Sequence, residues 1–158
     1  MRIAFVSSQG GHLGQIKIIF PNEVINGHYA ILITEKNNED LSPKEKIFNN
    51  KYRTYFFKKD YLRFNILKYI ETLFKLMKIY KREKINLVVT NGAQISVPAV
   101  LGAKLFGIKT IFIDTFIRVK TPNWSARFSY PFSDIFLVQH KNMMEKYGKK
   151  ARYEGSVL

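Results

Sequence analysis

Cysteine is absent from the 158-residue sequence, and histidine occurs three times. The absence of cysteine excludes disulfide bonds and thiolate chemistry, and it fits a reducing compartment. His12, His28 and His140 are far apart and show none of the spacings of zinc ligands. We therefore expect no metal site in this chain.

Long apolar runs are also missing. No stretch approaches the ~18 consecutive apolar residues of a membrane-spanning helix, and the chain starts with strand-like sequence instead of a secretory signal. Both absences predict a cytoplasmic protein. The length falls within the roughly 100–200 residues of one domain, so we expect a single domain over residues 1–158.

Acidic residues are scarce, with 12 Asp and Glu against 26 Lys and Arg, and the net charge is +14. So large an excess attracts polyanions such as nucleic acid, anionic lipid headgroups or phosphate-bearing substrates. General solubility in a lysine-rich chain is the plainer explanation, and composition alone leaves it open.

Short apolar runs bounded by turn residues predict buried strands. Their ranges are 2–7, 29–34, 52–57, 85–90, 108–114 and 135–139. Helices are expected from Leu13 until Pro21, over 97–106 and over 142–147. Residues 37–50 are expected to form a loop with a short helix after Ser42-Pro43, and a polar, aromatic segment at 124–131 links the last two strands. Continuous apolar strands alternating with helices are typical of a Rossmann-like α/β fold, a parallel sheet with helices on both faces.

The first predicted strand leads into a glycine-rich loop, residues 7–15 (SSQGGHLGQ). One interpretation is a phosphate or diphosphate site formed by Ser8, Gly10 and Gly11 at a helix N-terminus. His12 would then act as a base on a bound hydroxyl or would orient it, since neutral imidazole is the natural base near pH 7. A purely structural turn with a surface histidine is the alternative.

A dinucleotide site is the other specific interpretation of this loop. Gly11 and Gly14 match the last two glycines of the Gly-x-Gly-x-x-Gly pattern, but Gln9 stands in the place of the first. Glu35, at the end of the second predicted strand, is placed to bind a ribose. The loop alone does not decide between these possibilities.

Other polar residues follow the carboxyl ends of predicted strands. Asn91 and Gly92 form a second glycine turn, and Asp114 and Arg118 follow the next strand. Ligands of parallel α/β sheets bind beyond the carboxyl ends of the strands. We therefore expect these four residues to share one edge with the first glycine loop.

A long amphipathic helix is predicted between an Asp60 N-cap and Lys84. Its expected buried face comprises Leu62, Ile66, Tyr69, Ile70, Leu73, Met77 and Tyr80. Residues 51–84 carry eleven cationic and three acidic side chains, more than half of the net charge. The residues expected to face a membrane are Lys58, Lys59, Arg63, Phe64, Lys68 and Lys75.

The basic helix favours an anionic membrane surface as its partner, since cationic side chains are attracted to such surfaces. Nucleic acid is the competing polyanion, but the sequence contains no recognised nucleic-acid-binding module. A core-packed helix with a solvated charged face is the plain alternative.

Several motifs, taken in order, resemble a known family. They are residues 8–12 (SQGGH), 90–93 (TNGA), 97–98 (VP), 114–119 (DTFIRV), 130–131 (YP) and 138–140 (VQH). The chain resembles the membrane-associated subunit of the split N-acetylglucosaminyltransferase of lipid-linked oligosaccharide synthesis. It resembles that subunit's bacterial relatives in capsule and exopolysaccharide clusters more closely than the eukaryotic subunit itself. Asp114 replaces the usual Glu and His140 replaces the usual Trp. We expect no counterpart of the eukaryotic N-terminal anchor, so membrane contact is expected to be peripheral.

The resemblance implies the N-terminal, acceptor-side half of a GT-B glycosyltransferase. It implies that a separately encoded partner holds most of the UDP-sugar contacts, so we expect no cofactor in this chain and little activity in isolation. The predicted function is acceptor binding and membrane recruitment, in sugar transfer from a UDP-sugar to an undecaprenyl-diphosphate-linked saccharide. The expected location is peripheral, at the cytoplasmic face of a bacterial plasma membrane. The alternative is a small nucleotide- or dinucleotide-binding regulatory domain.

Overall fold

The structure is a computed structural model that describes residues 1–36, 53–58 and 65–156. Its strands are Arg2–Ser7 (β1), Tyr29–Lys36 (β2), Thr54–Lys58 (β3), Leu87–Thr90 (β4), Lys109–Ile113 (β5), Ile135–Leu137 (β6) and Ala151–Arg152 (β7). They form one parallel sheet in the order β3-β2-β1-β4-β5-β6-β7. The helices are Gly11–Ile19 (α1), Asn22–Ile25 (α2), Ile66–Glu83 (α3), Ser96–Leu105 (α4), Trp124–Ser129 (α5) and Asn142–Tyr147 (α6). The predicted Rossmann-like α/β fold is confirmed.

Alternate residues of a strand point to opposite faces of the sheet. Both faces carry apolar side chains, and helices cover both. On one face Val6 packs in a cluster with Tyr80 of α3 and Ala99 of α4. On the other face Phe5 packs in a cluster with Ile16 of α1. Both sides of the central strands are therefore buried, which explains their uninterrupted apolar sequence.

The strand order contains one reversal of direction. From β1 the chain builds outward through β2 to β3, and then returns to place β4 against the other side of β1. A crevice opens at such a switch point, beyond the carboxyl ends of the two diverging strands, and ligands bind there. The loops after β1 and β4 flank this crevice, and both are glycine turns.

The first helix starts earlier than predicted. α1 begins at Gly11, two residues before the expected Leu13, because Gly10 adopts a left-handed φ of 80° as the N-cap. The helix ends at Ile19, shortly before Pro21. β2 continues past Glu35 to Lys36, and the loop predicted at 37–50 lies outside the described residues.

The predicted start of α3 is wrong. Asn65 is its N-cap, and the side-chain oxygen accepts hydrogen bonds from the amides of Leu67 (3.1 Å) and Lys68 (3.4 Å). An asparagine at this position satisfies two amides that would otherwise be unpaired. Asp60, the predicted cap, lies outside the described residues.

The buried face of α3 is shorter than predicted. Leu73, Met77 and Tyr80 surround Gly102 of α4, whose missing side chain allows the two helices to approach closely. Ile66 and Ile70, which were expected in the core, are 72% and 44% exposed. Both residues precede the part of α3 that packs against α4. Helical spacing puts them on the same face as Leu73 and Met77, but it does not show where the contact with α4 begins. Leu62 lies outside the described residues.

The aromatic link predicted at 124–131 contains α5 and a 3-10 turn, Tyr130–Phe132. Asn123 caps α5 by accepting a hydrogen bond from the amide of Ser125 at 3.3 Å. β7, which the sequence did not predict, pairs with β6 over two residues. Two residues are too few for a periodic signal.

An ionic cluster closes the opposite, amino edge of the sheet. The Glu83 carboxylate accepts hydrogen bonds from the hydroxyls of Tyr55 and Tyr29, the latter at 2.7 Å. Arg53 and Arg82 lie 3.4 and 3.5 Å from its Oε1. The tyrosine hydrogen bonds are the largest of the effects that lower the pKa of Glu83.

Candidate functional site

The loop after β1 presents main-chain amides at the switch point. Gly10, the N-cap of α1, has no side chain with which to cap the helix, so the amides of the first turn are left for another acceptor. Amides at a helix N-terminus favour an anion. Gly10 and Gly11 therefore lie where a phosphate site was predicted, while Ser8 is buried and its carbonyl accepts a hydrogen bond from Ser7.

Asn91 connects this loop to the end of β4. The side chain is fully buried, and its Oδ1 accepts a hydrogen bond from the Ser7 hydroxyl at 2.8 Å. Its Nδ2 donates to the carbonyl of His12 and to Oε1 of Gln15, the latter at 3.4 Å. Asn91 thus fixes the start of α1 and is a structural member of the site.

The His12 imidazole is held in one tautomer. Its Nδ1 lies 2.8 Å from the carbonyl oxygen of Asn91. Because a carbonyl can only accept, Nδ1 carries the proton and the lone pair of the neutral ring is on Nε2. Burial lowers the pKa of His12, an effect that outweighs the opposing effect of the hydrogen bond that Nδ1 donates to the Asn91 carbonyl. The ring is therefore neutral at pH 7 with Nε2 as its basic atom.

Gly92 lies directly against the histidine ring. A Cβ at this position would be 3.2 Å from Cε1 of His12, and the φ of 95° also favours glycine. The next residue, Ala93, has a positive φ of 62° as well. This turn is strained, and the strained backbone supports the ring of His12.

Asp114 is linked to the same network through its main chain. Its carbonyl accepts a hydrogen bond from Nε2 of Gln15 at 3.1 Å, and its Oδ1 accepts from the amide of Thr115 at 2.9 Å. Burial raises the pKa of the carboxyl, and a hydrogen bond from Tyr147 opposes the rise. With 2% of its surface exposed, Asp114 is suited to positioning its neighbours rather than to contacting a ligand directly.

Arg118 is exposed, unlike Asn91, Gly92 and Asp114. It lies in the turn that follows β5, where its amide donates to the carbonyl of Thr115 at 3.3 Å. The structure thus places His12, Asn91 and Gly92 in mutual contact, ties Asp114 to them through hydrogen bonds, and leaves Arg118 on a loop at the same edge.

Gln15 and Tyr147 take part in this network although sequence reasoning passed over them. Gln15 is 2% exposed on a helix whose other buried residues, Leu13 and Ile16, are apolar. A polar residue three positions after His12 on such a face was an available signal. Tyr147 had no such signal, because its role depends on how α6 packs.

The dinucleotide interpretation gains little from the geometry. In that fingerprint the last glycine permits close packing of the helix on the sheet, yet nothing lies within 4 Å of a Cβ built on Gly14. Burial raises the pKa of Tyr69 to about 12, and the Glu35 carboxylate adds a smaller effect in the same direction. This electrostatic effect shows that Glu35 lies close to Tyr69 of α3.

Comparison with known proteins identifies the family. Residues 31–157 match the sequence profile of the family described as oligosaccharide biosynthesis protein Alg14 like. The chain belongs to this family. The glycine loop precedes the matched range, but two curated relatives, from Homo sapiens and Mus musculus, align with the whole chain.

Two curated relatives illustrate the range of similarity. This Alg14-like chain is 24% identical to the UDP-N-acetylglucosamine transferase subunit ALG14 of Homo sapiens over 181 aligned residues, covering 100% of the chain and 83% of the relative. A Prochlorococcus marinus protein is 45% identical over 51 residues, 32% of the chain and 14% of its own length. It is named UDP-N-acetylglucosamine–N-acetylmuramyl-(pentapeptide) pyrophosphoryl-undecaprenol N-acetylglucosamine transferase.

Solved structures share the fold at low identity. Acinetobacter baumannii MurG superimposes with a TM-score of 0.71 at 14% identity, over 90% of this chain and 43% of MurG. The UDP-GlcNAc 2-epimerase of Methanocaldococcus jannaschii gives a TM-score of 0.75 at 13% identity, over 99% of this chain and 46% of the epimerase. The Alg14-like chain therefore spans less than half the length of either structure.

An exposed apolar surface extends from the first turns of α3 to α5. We define the α3–α5 surface as Ile66, Leu67, Ile70, Phe74, Trp124 and Phe128, all of which are at least 42% exposed. Trp124 joins the two helices, with ring-centroid distances of 6.4 Å to Tyr69 and 5.8 Å to Phe128. Such a contiguous apolar surface is typical of an interaction site.

The predicted membrane-facing residues are only partly covered by the structure. Lys68 is half-buried near the start of α3, and Lys75 forms an ion pair of 2.5 Å with Glu71. Lys59, Arg63, Phe64 and the side chain of Lys58 lie outside the described residues. None of the helices in the described ranges is long and apolar enough to span a membrane.

Proposed function

We propose that this Alg14-like chain is the acceptor-binding, membrane-recruiting subunit of a two-chain glycosyltransferase. The reaction would transfer a sugar from a UDP-sugar to an undecaprenyl-diphosphate-linked saccharide, in capsular or exopolysaccharide synthesis at the cytoplasmic face of a bacterial plasma membrane. A separately encoded partner would hold most of the donor. The chain alone would have little or no activity.

The observation that carries this proposal is a neutral, oriented histidine beside a helix N-terminus at the switch point. The amides of Gly10, Gly11 and the first turn of α1 would receive the acceptor's diphosphate. Nε2 of His12 would accept the proton of the attacking sugar hydroxyl, or orient that hydroxyl, while the sugar is transferred. Arg118 would contact phosphate from the loop after β5.

The comparisons support the substrate classes without deciding them. Two relatives are named as UDP-N-acetylglucosamine transferases or subunits of one, and the name of the bacterial relative includes pyrophosphoryl-undecaprenol. This chain covers less than half of the MurG structure. We infer that the remaining half, with the donor site, is supplied by another polypeptide.

The α3–α5 surface supports membrane recruitment. α3 follows β3 and α5 follows β5 in a parallel sheet, so both helices start at the carboxyl edge that holds His12. Apolar side chains at this edge would enter the lipid headgroup region, with Lys68 beside them. A polyprenyl acceptor would then emerge from the bilayer next to the site.

A ligand screen by thermal unfolding tests the proposal against the dinucleotide alternative. A short-chain polyprenyl-diphosphate sugar at 100 times its Kd should raise the Tm by roughly 5–10 °C, and NAD and UDP-GlcNAc should leave the Tm unchanged. Stabilisation by NAD without stabilisation by the lipid diphosphate would favour the regulatory domain. Gly10→Ala should weaken the response to the lipid diphosphate, and Gly27→Ala is the matched control, because its φ of 84° is close to the 80° of Gly10 and nothing lies within 4 Å of either added methyl group.

A further inference from the structure

The loop that carries Arg118 is held in place by side chains from a later part of the chain. This β5–α5 loop, residues 114–123, contains only turns, bends and irregular backbone. Three side chains hydrogen-bond its main-chain carbonyls: His140 to Phe116 (2.7 Å), Asn142 to Val119 (2.7 Å), and Lys146 to Lys120. Backbone groups that no regular structure pairs are thereby satisfied by α6 and the residues just before it.

Tyr147, the last residue of α6, joins the two ends of this loop. Its hydroxyl oxygen accepts a hydrogen bond from the amide of Asn123 at 3.2 Å. The Asp114 carboxylate lies near the same hydroxyl and, after burial, is the next cause that raises the pKa of Tyr147. Asp114 begins the loop and Asn123 ends it as the N-cap of α5. The Tyr147 hydroxyl therefore holds the end of the loop by a hydrogen bond and lies beside its start.

The ring of Tyr147 is itself rigidly anchored. Its centroid lies 4.8 Å from that of Phe136 and 6.1 Å from that of Tyr130. Phe136 is fully buried and stacks on Phe112 of β5 at 4.8 Å. Core packing thus determines where the hydroxyl lies, and the loop conforms to it.

Asp114 also connects the Arg118 loop to His12 through a chain of hydrogen bonds. The Asp114 main-chain carbonyl bonds to Gln15, Gln15 bonds to Asn91, and the Asn91 carbonyl bonds to Nδ1 of His12. The Arg118 loop and α1 are therefore joined at the main chain of Asp114.

We infer that Tyr147 is a positioning residue that holds the Arg118 loop in its acceptor-binding conformation and thereby sets the affinity for the acceptor's diphosphate. This inference rests on the proposed function. Tyr147 acts through Asp114 and Asn123 and need not touch the acceptor. A loop that is ordered before binding loses less conformational entropy when the acceptor binds, so the hydroxyl raises affinity without adding a contact.

Limited trypsin digestion of the full chain tests the structural half of the inference. Trypsin cleaves after Arg118 and Lys120, both exposed within the loop. Tyr147→Phe keeps the ring and removes the hydroxyl, and it should speed cleavage at these two bonds roughly tenfold. Tyr130→Phe removes a neighbouring hydroxyl that accepts from the Lys150 amide at 2.8 Å. This control should digest like the wild type, and equal cleavage of Tyr147→Phe and wild type would overturn the inference.

Steady-state kinetics of the complex with its partner tests the functional half. Tyr147→Phe should raise the KM for the lipid-linked acceptor roughly tenfold, with kcat and the KM for the UDP-sugar changed by less than about twofold. Loss of kcat at an unchanged acceptor KM would overturn the inference even if the loop loosens. Absence of transfer by the wild-type complex would instead overturn the proposed function, and the digestion result would still decide whether Tyr147 holds the loop.

Asn142→Ala is a second variant that does not depend on the buried ring. Its amide bonds to the Val119 carbonyl at an exposed position, so the substitution should not affect folding. We expect Asn142→Ala to speed cleavage and to raise the acceptor KM, as Tyr147→Phe does. Both effects should be smaller than those of Tyr147→Phe. Faster cleavage with an unchanged acceptor KM in both variants would show that loop order does not set affinity.

Discussion

Nδ1 of His12 and the main-chain carbonyl of Asn91 are 2.8 Å apart, and this contact assigns the ring's basic atom. A carbonyl oxygen accepts only, so Nε2 carries the lone pair of the neutral ring. Gly92, next in the chain after Asn91, leaves room for the ring. The strand end that provides the acceptor oxygen thus also provides the space, which makes His12 an oriented group and not a mobile surface side chain.

The pH dependence of transfer should follow His12. Burial lowers its pKa below the ordinary 6.5, and only the neutral ring can accept a proton. The rate should therefore rise with pH through an acid limb centred below 6.5 and become level above it. His12→Ala should remove this limb and reduce kcat by roughly 10²–10⁴-fold. His28→Ala, at an exposed histidine, is the control, and an unchanged limb in His12→Ala would exclude His12 from proton transfer.

Gly92→Ala should reduce transfer more than stability explains. The new methyl group would lie 3.2 Å from Cε1 of His12, at a φ of 95°. Gly107→Ala introduces similar backbone strain at a φ of 66°, with nothing within 4 Å of the methyl group. Both variants should lose about 1 kcal/mol of unfolding free energy, measured in urea. Only Gly92→Ala should lose most of its turnover, and equal turnover in the two variants would contradict the role given to the ring's support.

Membrane binding should depend on the α3–α5 surface. In flotation with anionic vesicles, Ile70→Ser with Phe74→Ser should lose most binding at 50 mM salt. Ile18→Ser with Val24→Ser changes equally exposed apolar residues on α1 and α2, across the sheet, and should bind like the wild type. Binding should also weaken steeply with added salt, because exposed charges are screened. Equal flotation of both double variants would place the membrane contact elsewhere.

The Glu83 cluster should govern acid stability without affecting transfer. The pKa of Glu83 is lowered from 4.5 in the folded state, chiefly by hydrogen bonds from Tyr55 and Tyr29. Its contribution is therefore complete above pH 4.5 and is lost as the pH falls through the lower folded value. Glu83→Gln should cost about 2 kcal/mol at pH 7 and less near pH 3, measured by urea unfolding. Glu71→Gln, at an exposed ion pair with Lys75, should show no such loss.

Sequence periodicity predicted the sheet because its central strands carry continuous apolar runs that helices cover on both sides. The same reasoning misplaced the start of α3, since Asp60 and Asn65 are both suitable caps and only local geometry selects Asn65. Helical spacing also cannot distinguish an apolar residue that meets α4 from one, such as Ile70, that lies beyond it. Ile66 and Ile70 of the α3–α5 surface were therefore predicted as core.

The candidate site was only partly predictable. Strand ends placed His12, Asn91 and Asp114 at one edge, because parallel strands share their carboxyl edge. The Nδ1–carbonyl contact and the hydrogen bonds through Gln15 depend on side-chain positions that spacing does not determine. Nothing in the sequence around α6 marked Tyr147 as a neighbour of Asp114.

Reconstituted transfer tests the central claim most directly. The chain and its co-purified partner would be assayed separately and together, with UDP-GlcNAc and an undecaprenyl-diphosphate-linked saccharide, by following radiolabelled lipid product. We predict transfer by the pair, little or none by either chain alone, and loss of transfer when His12→Ala replaces the wild-type chain. Full transfer by this chain without a partner would contradict the two-chain account.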